Sequence, residues 1–514
     1  MWGECMNSSN SGEPAKAAEQ EKPGKKLLVA FFAALALLVL GVAFFFGAQA
    51  LSGLIGESSQ SEPYMVVVTE GEALVYSGDS DPVRIEGDSY DEFVSLDGKT
   101  VGFSMNMVDT RHYSLVVYNG KDTLEVDEDV CSFRISDNGS KVIYLADEDT
   151  EDFTATLCSY DVSSKKIEVL AEDVFARKMP IISPDGKSIA YSTVFTADAF
   201  GTPESYMVNV IKDGGDAEEL GKDIFPFAMS DKANYVYYTK NDGDRSLFVL
   251  KNGNEVKLGK LEGETFFFFN KDFSELLFTS NNATYMSIGG ADAEKISSDS
   301  LAAIVPSSQT NIAYSFNDLF GQRVDVASLQ DHVVMMASDT SCVIAYMNSS
   351  YEFSEIASIE SEDNNTATYY LHKYYDGVKV SKDDKSLYFA NGKGELLLYS
   401  DYRDLKTDPI KIAEDVDSLN ISFDDSLVYF ITGAEAKGSG VFVGTLNVME
   451  NKTGSTSKEI DKNVFLIRSS SFGDVYYVFE ETVEAYGKYN VICEAFYSRD
   501  GMTFKSVAER AIFR

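Results

Sequence analysis

The chain has 514 residues, with 82 acidic against 44 basic side chains and a formal net charge of -38. A surface that negative repels phosphate backbones, which excludes nucleic acid as a partner and suits basic partners or divalent cations. Hydrophobic residues make up 44% of the chain, enough for a large core, and its five cysteines follow no C-x-x-C spacing, which argues against a zinc ribbon or a disulfide-built scaffold.

In chain order, residues 1–26 form a polar tail whose four lysines and four glutamates cancel, so the whole acidic excess falls from Glu57 onward. Leu27 to Ala48 then runs 22 residues without a charge. As a helix it would be roughly 33 Å long, enough to cross a hydrocarbon core of about 30 Å. The segment 27–50 is therefore expected to be a single transmembrane helix. Lys22, Lys25 and Lys26 precede it and the next basic residue is Arg84, so the positive-inside rule keeps the N-terminus cytoplasmic and sends the rest across. Ala48-Gln49-Ala50 also fits a signal-peptidase site, the alternative to an uncleaved anchor. The apolar run and the leader before it are both longer than a signal peptide usually carries, which favours the anchor. Residues 51–63, with the polar run Glu57 to Glu62, read as a flexible stalk.

Residues 64–514 are read as one all-β unit built on an internal repeat. The clearest copy is ISPDGKSIAYS from Ile182, matched by VSLDGKTVGFS from Val94, ISDNGSKVIYL from Ile135, VSKDDKSLYFA from Val380 and ISFDDSLVYFI from Ile421. Weaker copies begin at Met229, Phe269, Val305, Ala337 and Arg468. In each, an apolar residue ends one strand, Ser-x-Asp-Gly makes a tight turn, and an alternating strand follows. The closing aromatic positions run from Phe103 to Tyr477 at separations of 32 to 47 residues. That interval suits a four-stranded propeller blade of about 40 to 45 residues. The fold class expected is an all-β propeller of about eight blades, with seven to ten open, preceded by one transmembrane helix. The cramped intervals around Tyr314 and Tyr346 suggest that some weak copies are other strands within larger blades.

The Ser-Pro-Asp-Gly-Lys-x-Ile-Ala-Tyr run at residues 183 to 191 resembles the TolB-type repeat, and also the propellers attached to prolyl-oligopeptidase-like peptidases. The resemblance implies a propeller that works through protein contacts, and is nearly silent on activity. It departs from TolB in having an apolar segment where TolB carries an N-terminal domain. Peptidase activity is not expected, since no G-x-S-x-G elbow occurs and only 37 residues follow Tyr477.

Other chemistry is sparse. His112, His332 and His372 share no metal-ligand spacing and read as surface or satisfied core residues. Cys131, Cys158, Cys342 and Cys493 read as free thiols, although Cys131 and Cys158 could pair. Among acidic loops, Asp147, Asp149 and Asp152 are weak candidates for a structural calcium ion, which wants six to eight oxygens. Asp79-Ser80-Asp81 and Asn241-Asp242-Gly243-Asp244 are similar runs, and none matches an EF-hand loop. No catalytic or cofactor-binding residue is assigned. The function expected is a membrane-anchored extracytoplasmic module that binds or scaffolds protein, peptide or glycan ligands. The alternative is an extracytoplasmic hydrolase or lyase using acids at the propeller mouth, which a convergent acid pair there would favour.

Overall fold

The computed structural model describes residues 64–513 apart from short internal stretches, the longest being 306–313 and 361–377. The tail 1–26, the expected transmembrane segment 27–50 and the stalk 51–63 lie outside the described residues. Among the described residues no helix is long and apolar enough to cross a membrane.

The repeated turn sets the architecture. Between Ile181–Ile182 and Ile189–Ala197, Ser183 Oγ donates to Asp185 Oδ1 (2.7 Å) and accepts the N–H of Ser188 (2.9 Å). The Gly186 N–H donates to the Ser183 carbonyl (2.9 Å), and Gly186 itself sits at φ 75°. One serine and one carboxylate thus satisfy the turn's orphan polar groups, and the glycine takes a conformation costly for a side chain. The same hydroxyl-to-carboxylate bond recurs from Ser95 to Asp97 (2.7 Å), Ser381 to Asp383 (2.6 Å) and Ser422 to Asp424 (2.8 Å). Asp384 and Asp425 stand in the glycine position of the last two, at φ 56° and 61°, which aspartate tolerates better than most residues. Turns of successive blades also link to each other: the Asp97 N–H donates to the Asp137 carbonyl and the Asn138 N–H to the Pro184 carbonyl.

Among the described residues the strands group into ten antiparallel four-stranded units, at 65–86, 89–130, 130–175, 181–222, 224–260, 267–297, 300–360, 378–413, 416–464 and 464–513. We number them blades 1 to 10. Thr123–Ile135 serves twice, pairing with Tyr113–Tyr118 as the outer strand of blade 2 and with Lys141–Asp149 as the inner strand of blade 3. Lys458–Ser470 does the same between blades 9 and 10. Blade 1 supplies only three strands of its own. Its missing inner strand is the end of Lys505–Phe513, where Ala511 lies opposite Thr69 and the Glu70 N–H reaches the Arg510 carbonyl (3.4 Å). Every consecutive pair of blades shares a buried apolar cluster. Met65, Val67 and Leu74 pack with Tyr477, Val491 and Cys493 across the closing seam. The ring is therefore a closed all-β propeller, sealed where Met65–Thr69 meets Lys505–Phe513.

The structure corrects the blade count from about eight to ten, at the top of the expected range. Ten repeat copies and ten blades agree only by cancellation. Tyr314 belongs to a hairpin, Tyr314–Asn317 and Arg323–Val326, inserted in blade 7, and Tyr346 lies in that blade's third strand. The true second strand of blade 7, His332–Ala337, carries no motif, and neither does blade 1. Arg323–Val326 pairs in parallel with Phe267–Phe269, the inner strand of blade 6. That strand's other edge already pairs with Glu275–Ser280, so the hairpin extends the sheet inward, into the central channel. Cys131, Cys158, Cys342 and Cys493 are free thiols, the last three buried.

Candidate functional site

Strand direction gives the ring two faces. The repeated turns join each inner strand to the second strand on one face, here the turn face. Loops between second and third strands, and the connections between blades, lie on the other, the loop face.

On the loop face, the acidic run Asp147 to Asp152 ends the second strand of blade 3. Alternation along that strand sends Glu148 inward, with only 1% of its side chain exposed. Arg111 of blade 2 forms an ion pair with it. His112 Nε2 lies 3.4 Å and Arg177 Nε 3.8 Å from its carboxylate. His112 Nδ1 is in turn 2.7 Å from Asp109 Oδ2, and that bond holds the Asp109 carboxyl down at about 2. One buried carboxylate thus clasps the loop of blade 2, the second strand of blade 3 and the connection leading to blade 4. Its neighbours Asp147, Asp149 and Asp152 are exposed. Asp149 Oδ1 accepts the N–H groups of Glu151 (2.8 Å) and Asp152 (3.1 Å), which caps the hairpin. No group of three or more His, Cys, Asp or Glu fit to hold a metal occurs among the described residues. Asp79 and Asp242 lie outside those residues, and Asp244 pairs with Lys260 (3.3 Å).

Next to Arg177 the connection continues as Lys178-Met179-Pro180, where the inner strand of blade 4 is irregular. Lys178 is 8% exposed and enters the seam between blades 4 and 5. Its ammonium lies 5.5 Å from the Tyr206 ring and 5.2 Å from the Phe225 ring. Among the described residues Nζ has no hydrogen-bond partner, and neither do the buried hydroxyls of Ser192 and Tyr206. Burial, helped by Arg134, pulls Lys178 down to about 7. The crevice beside it, lined by Lys178, Met179, Pro180, Ser192 and Pro226, is too tight to admit a water molecule.

On the turn face, the turns of blades 3 to 5 bring acids together. Desolvation and the neighbouring Asp231 push Asp137 up to about 8. Asp231 is also raised, by burial first, and its Oδ1 accepts the Asp185 N–H (2.9 Å). Sequence reading missed both Lys178 and this pair, because neither belongs to a spaced motif. The signal for Lys178 was slight: a basic pair, Arg177-Lys178, two residues before Pro180 in an acidic chain. His332 is buried, and desolvation lowers it, as a core histidine should be. His372 lies outside the described residues.

No protein-family profile matches the chain, and no curated protein matches it in sequence. Among solved structures it is similar to a eukaryotic initiation factor, at 10% identity over 78% of this chain and 97% of that one, with a TM-score of 0.45. It is also similar to the β-propeller domain of the Trilobed protease from Pyrococcus furiosus, at 10% identity over 73% and 98%, with a TM-score of 0.32. TolB from Acinetobacter baumannii matches at 11% identity over 54% and 69%, with a TM-score of 0.27. Longer peptidases are spanned over 49% to 60% of their length. The class of this protein, a β-propeller, rests on its own strand order and closed cores.

Proposed function

We propose that this protein is a membrane-anchored, extracytoplasmic binding or scaffolding propeller whose recognition surface is the loop face of blades 2 to 5. The observation that carries this reading is where the irregular residues collect. Arg111, His112, Arg177 and Lys178 gather at one edge of a strongly acidic protein, at positions outside the repeat. The inserted hairpin in the channel directs ligands to a face rather than through the ring. The apolar segment 27–50 supports the anchor and the flanking lysines its orientation. Protein, peptide and glycan ligands all suit such a loop surface.

The test is co-purification from detergent-solubilised membranes with full-length, C-terminally tagged protein. A specific extracytoplasmic partner should be recovered, and Arg177→Ala should reduce its recovery while leaving the melting temperature within a few degrees. Protease added outside intact cells should cut the stalk and release the tagged domain. Recovery of no partner, or a C-terminus protected from the protease, would refute the reading.

A second reading has its own observation. The turns of blades 3 to 5 bring Asp137, Asp185 and Asp231 to one part of the turn face, with Asp231 Oδ1 accepting the Asp185 N–H (2.9 Å), and clustered carboxyls with raised values are what acid–base hydrolysis uses. Turnover of a glycan or peptide substrate, abolished by Asp137→Asn, would favour the enzyme.

A further inference from the structure

The two faces of the ring differ in where the chain enters it. Met65–Thr69 runs towards the loop face, because Glu70 just beyond it pairs with Arg510 (2.9 Å). Arg510 also holds Glu481 (3.1 Å), near the loop end of the second strand of blade 10. The start of Met65–Thr69 is therefore on the turn face. Tyr64 confirms it: its ring lies 5.4 Å from that of Tyr118, and its hydroxyl sits directly against Gly120. Both belong to the turn between the third and fourth strands of blade 2, on the turn face. The chain before residue 64 thus reaches the propeller at the turn face, on the rim of blade 1.

Length makes that entry point decisive. Residues 51–63 number 13. Fully extended they span at most roughly 45 Å, and as the flexible chain their composition predicts they average about 20 Å. Beside blade 1, Gly473–Ala485 of blade 10 runs 13 residues from turn face to loop face, roughly 43 Å at 3.3 Å per residue. With the loop face against a membrane, the connecting chain would have to climb that whole height, stretched to its limit. With the turn face down it needs no stretch.

Charge points the same way. On the turn face acids and bases alternate and pair: Asp97 with Lys99 (3.1 Å), Asp122 with Lys165 (2.8 Å) and Asp185 with Lys187 (3.9 Å). On the loop face exposed acids run together, as in Glu125, Glu128 and Asp129, or Glu480 and Glu481. An anionic lipid surface repels that face more strongly than the balanced one.

We infer that the turn face lies against the membrane surface and that the loop face is held away from it. This rests on the membrane-anchored reading given above and adds which surface meets lipid. A partner of the loop face then reaches it from the membrane-distal side.

The experiment is energy transfer on full-length protein in lipid nanodiscs, from a donor on the protein to acceptor-labelled lipid headgroups. In a Cys5→Ser, Cys131→Ser background, single cysteines carry the donor at exposed positions. Lys452→Cys (turn face) and Glu435→Cys (loop face) form one pair on blade 9. Lys187→Cys (turn face, blade 4) and Glu151→Cys (loop face, blade 3) form a second pair across the ring, so that tilt cannot mimic the result. The expected result is at least twofold higher transfer from the turn-face member of each pair. The gap should widen when phosphatidylglycerol replaces part of the phosphatidylcholine. Either pair alone decides the matter should a site in the other fail to label or fold. Equal transfer within a pair, a reversed order, or a gap that anionic lipid closes would overturn the inference. Release of the protein from cell membranes by alkaline carbonate would fault the anchor, and this inference with it. Retention in the membrane with equal transfer faults the orientation alone.

Discussion

On the turn face, Ser95, Ser183, Ser381 and Ser422 do one job in four blades, each donating to the carboxylate two residues on. The loop face of blades 2 to 4 is less regular: Glu148 is buried, whereas Glu481, at the same place in the Arg468 copy, is half exposed, and Lys178 follows a strand that loses its regularity. The difference separates two kinds of stability. The turns are many, local and individually replaceable, because each satisfies its own polar groups within six residues. The Glu148 clasp is singular and long-range, and it ties three segments through one buried charge. Removing a link of the first kind should loosen one hairpin, whereas removing the second leaves Arg111 and Arg177 without their shared counter-charge.

The sharpest test of that contrast is Glu148→Gln. Removing the buried carboxylate should cost about 3 kcal/mol, the low end for a buried pair, because Arg111 and Arg177 are themselves partly exposed. Denaturant unfolding should show that loss, and the double change with Arg111→Met should recover part of it. A cost below about 1 kcal/mol would mean the cluster is solvated and behaves as a surface pair.

Blade 10 lacks the serine turn and makes a different arrangement. Its Asp474 is buried, accepts the Tyr429 hydroxyl (2.7 Å), and is pushed up to about 6, chiefly by burial. The fold thus favours the protonated carboxyl. Its stabilising contribution is full below the ordinary value near 3.8 and is lost as pH rises through about 6. Roughly two units correspond to about 3 kcal/mol at most. Asp474→Asn should flatten the stability profile between pH 4 and 6 and raise stability at pH 7. An unchanged profile would show that Asp474 ionises freely.

Gly186→Val tests the repeated turn. A β-branched side chain at φ 75° costs about 1–3 kcal/mol, and its Cβ would meet Lys141 Cβ and Ser136 Oγ at 3.1 Å. The expected loss falls below that of Glu148→Gln. A larger loss would mean that the turns, linked to one another around the ring, act as one unit rather than as separate hairpins.

These residues also show what a sequence can disclose. Ser183, Asp185 and Gly186 were legible because their chemistry is local and recurs, and the fold class followed from them. Blade 1 was not, because its inner strand is Lys505–Phe513, more than 400 positions away, and no local pattern announces that pairing. His332–Ala337 escaped because the inserted hairpin separates it from its inner strand. Glu148 was read as one acid in an exposed run. Its direction depends on strand alternation, and its partners come from 29 to 37 residues away. Lys178 became visible only once burial and missing partners could be seen together.

The smallest expected effect concerns calcium at Asp147 to Asp152. A calcium ion needs six to eight oxygens, and the run is already committed elsewhere. Glu148 points inward to Arg111 and His112, and Asp149 Oδ1 is taken by two backbone N–H groups. Recruiting these acids would dismantle both the clasp and the hairpin cap. A chelator should therefore move the melting temperature by less than about 1 °C, under the roughly 2–4 °C that 1 kcal/mol gives even in a domain about half this size. Asp149→Ala, which removes the cap alone, should cost about 1 kcal/mol whether or not calcium is present. A chelator shift of ten degrees, abolished by Asp149→Ala, would mean that the loop closes around an ion and that the loop face, like the turn face, is organised by its carboxylates.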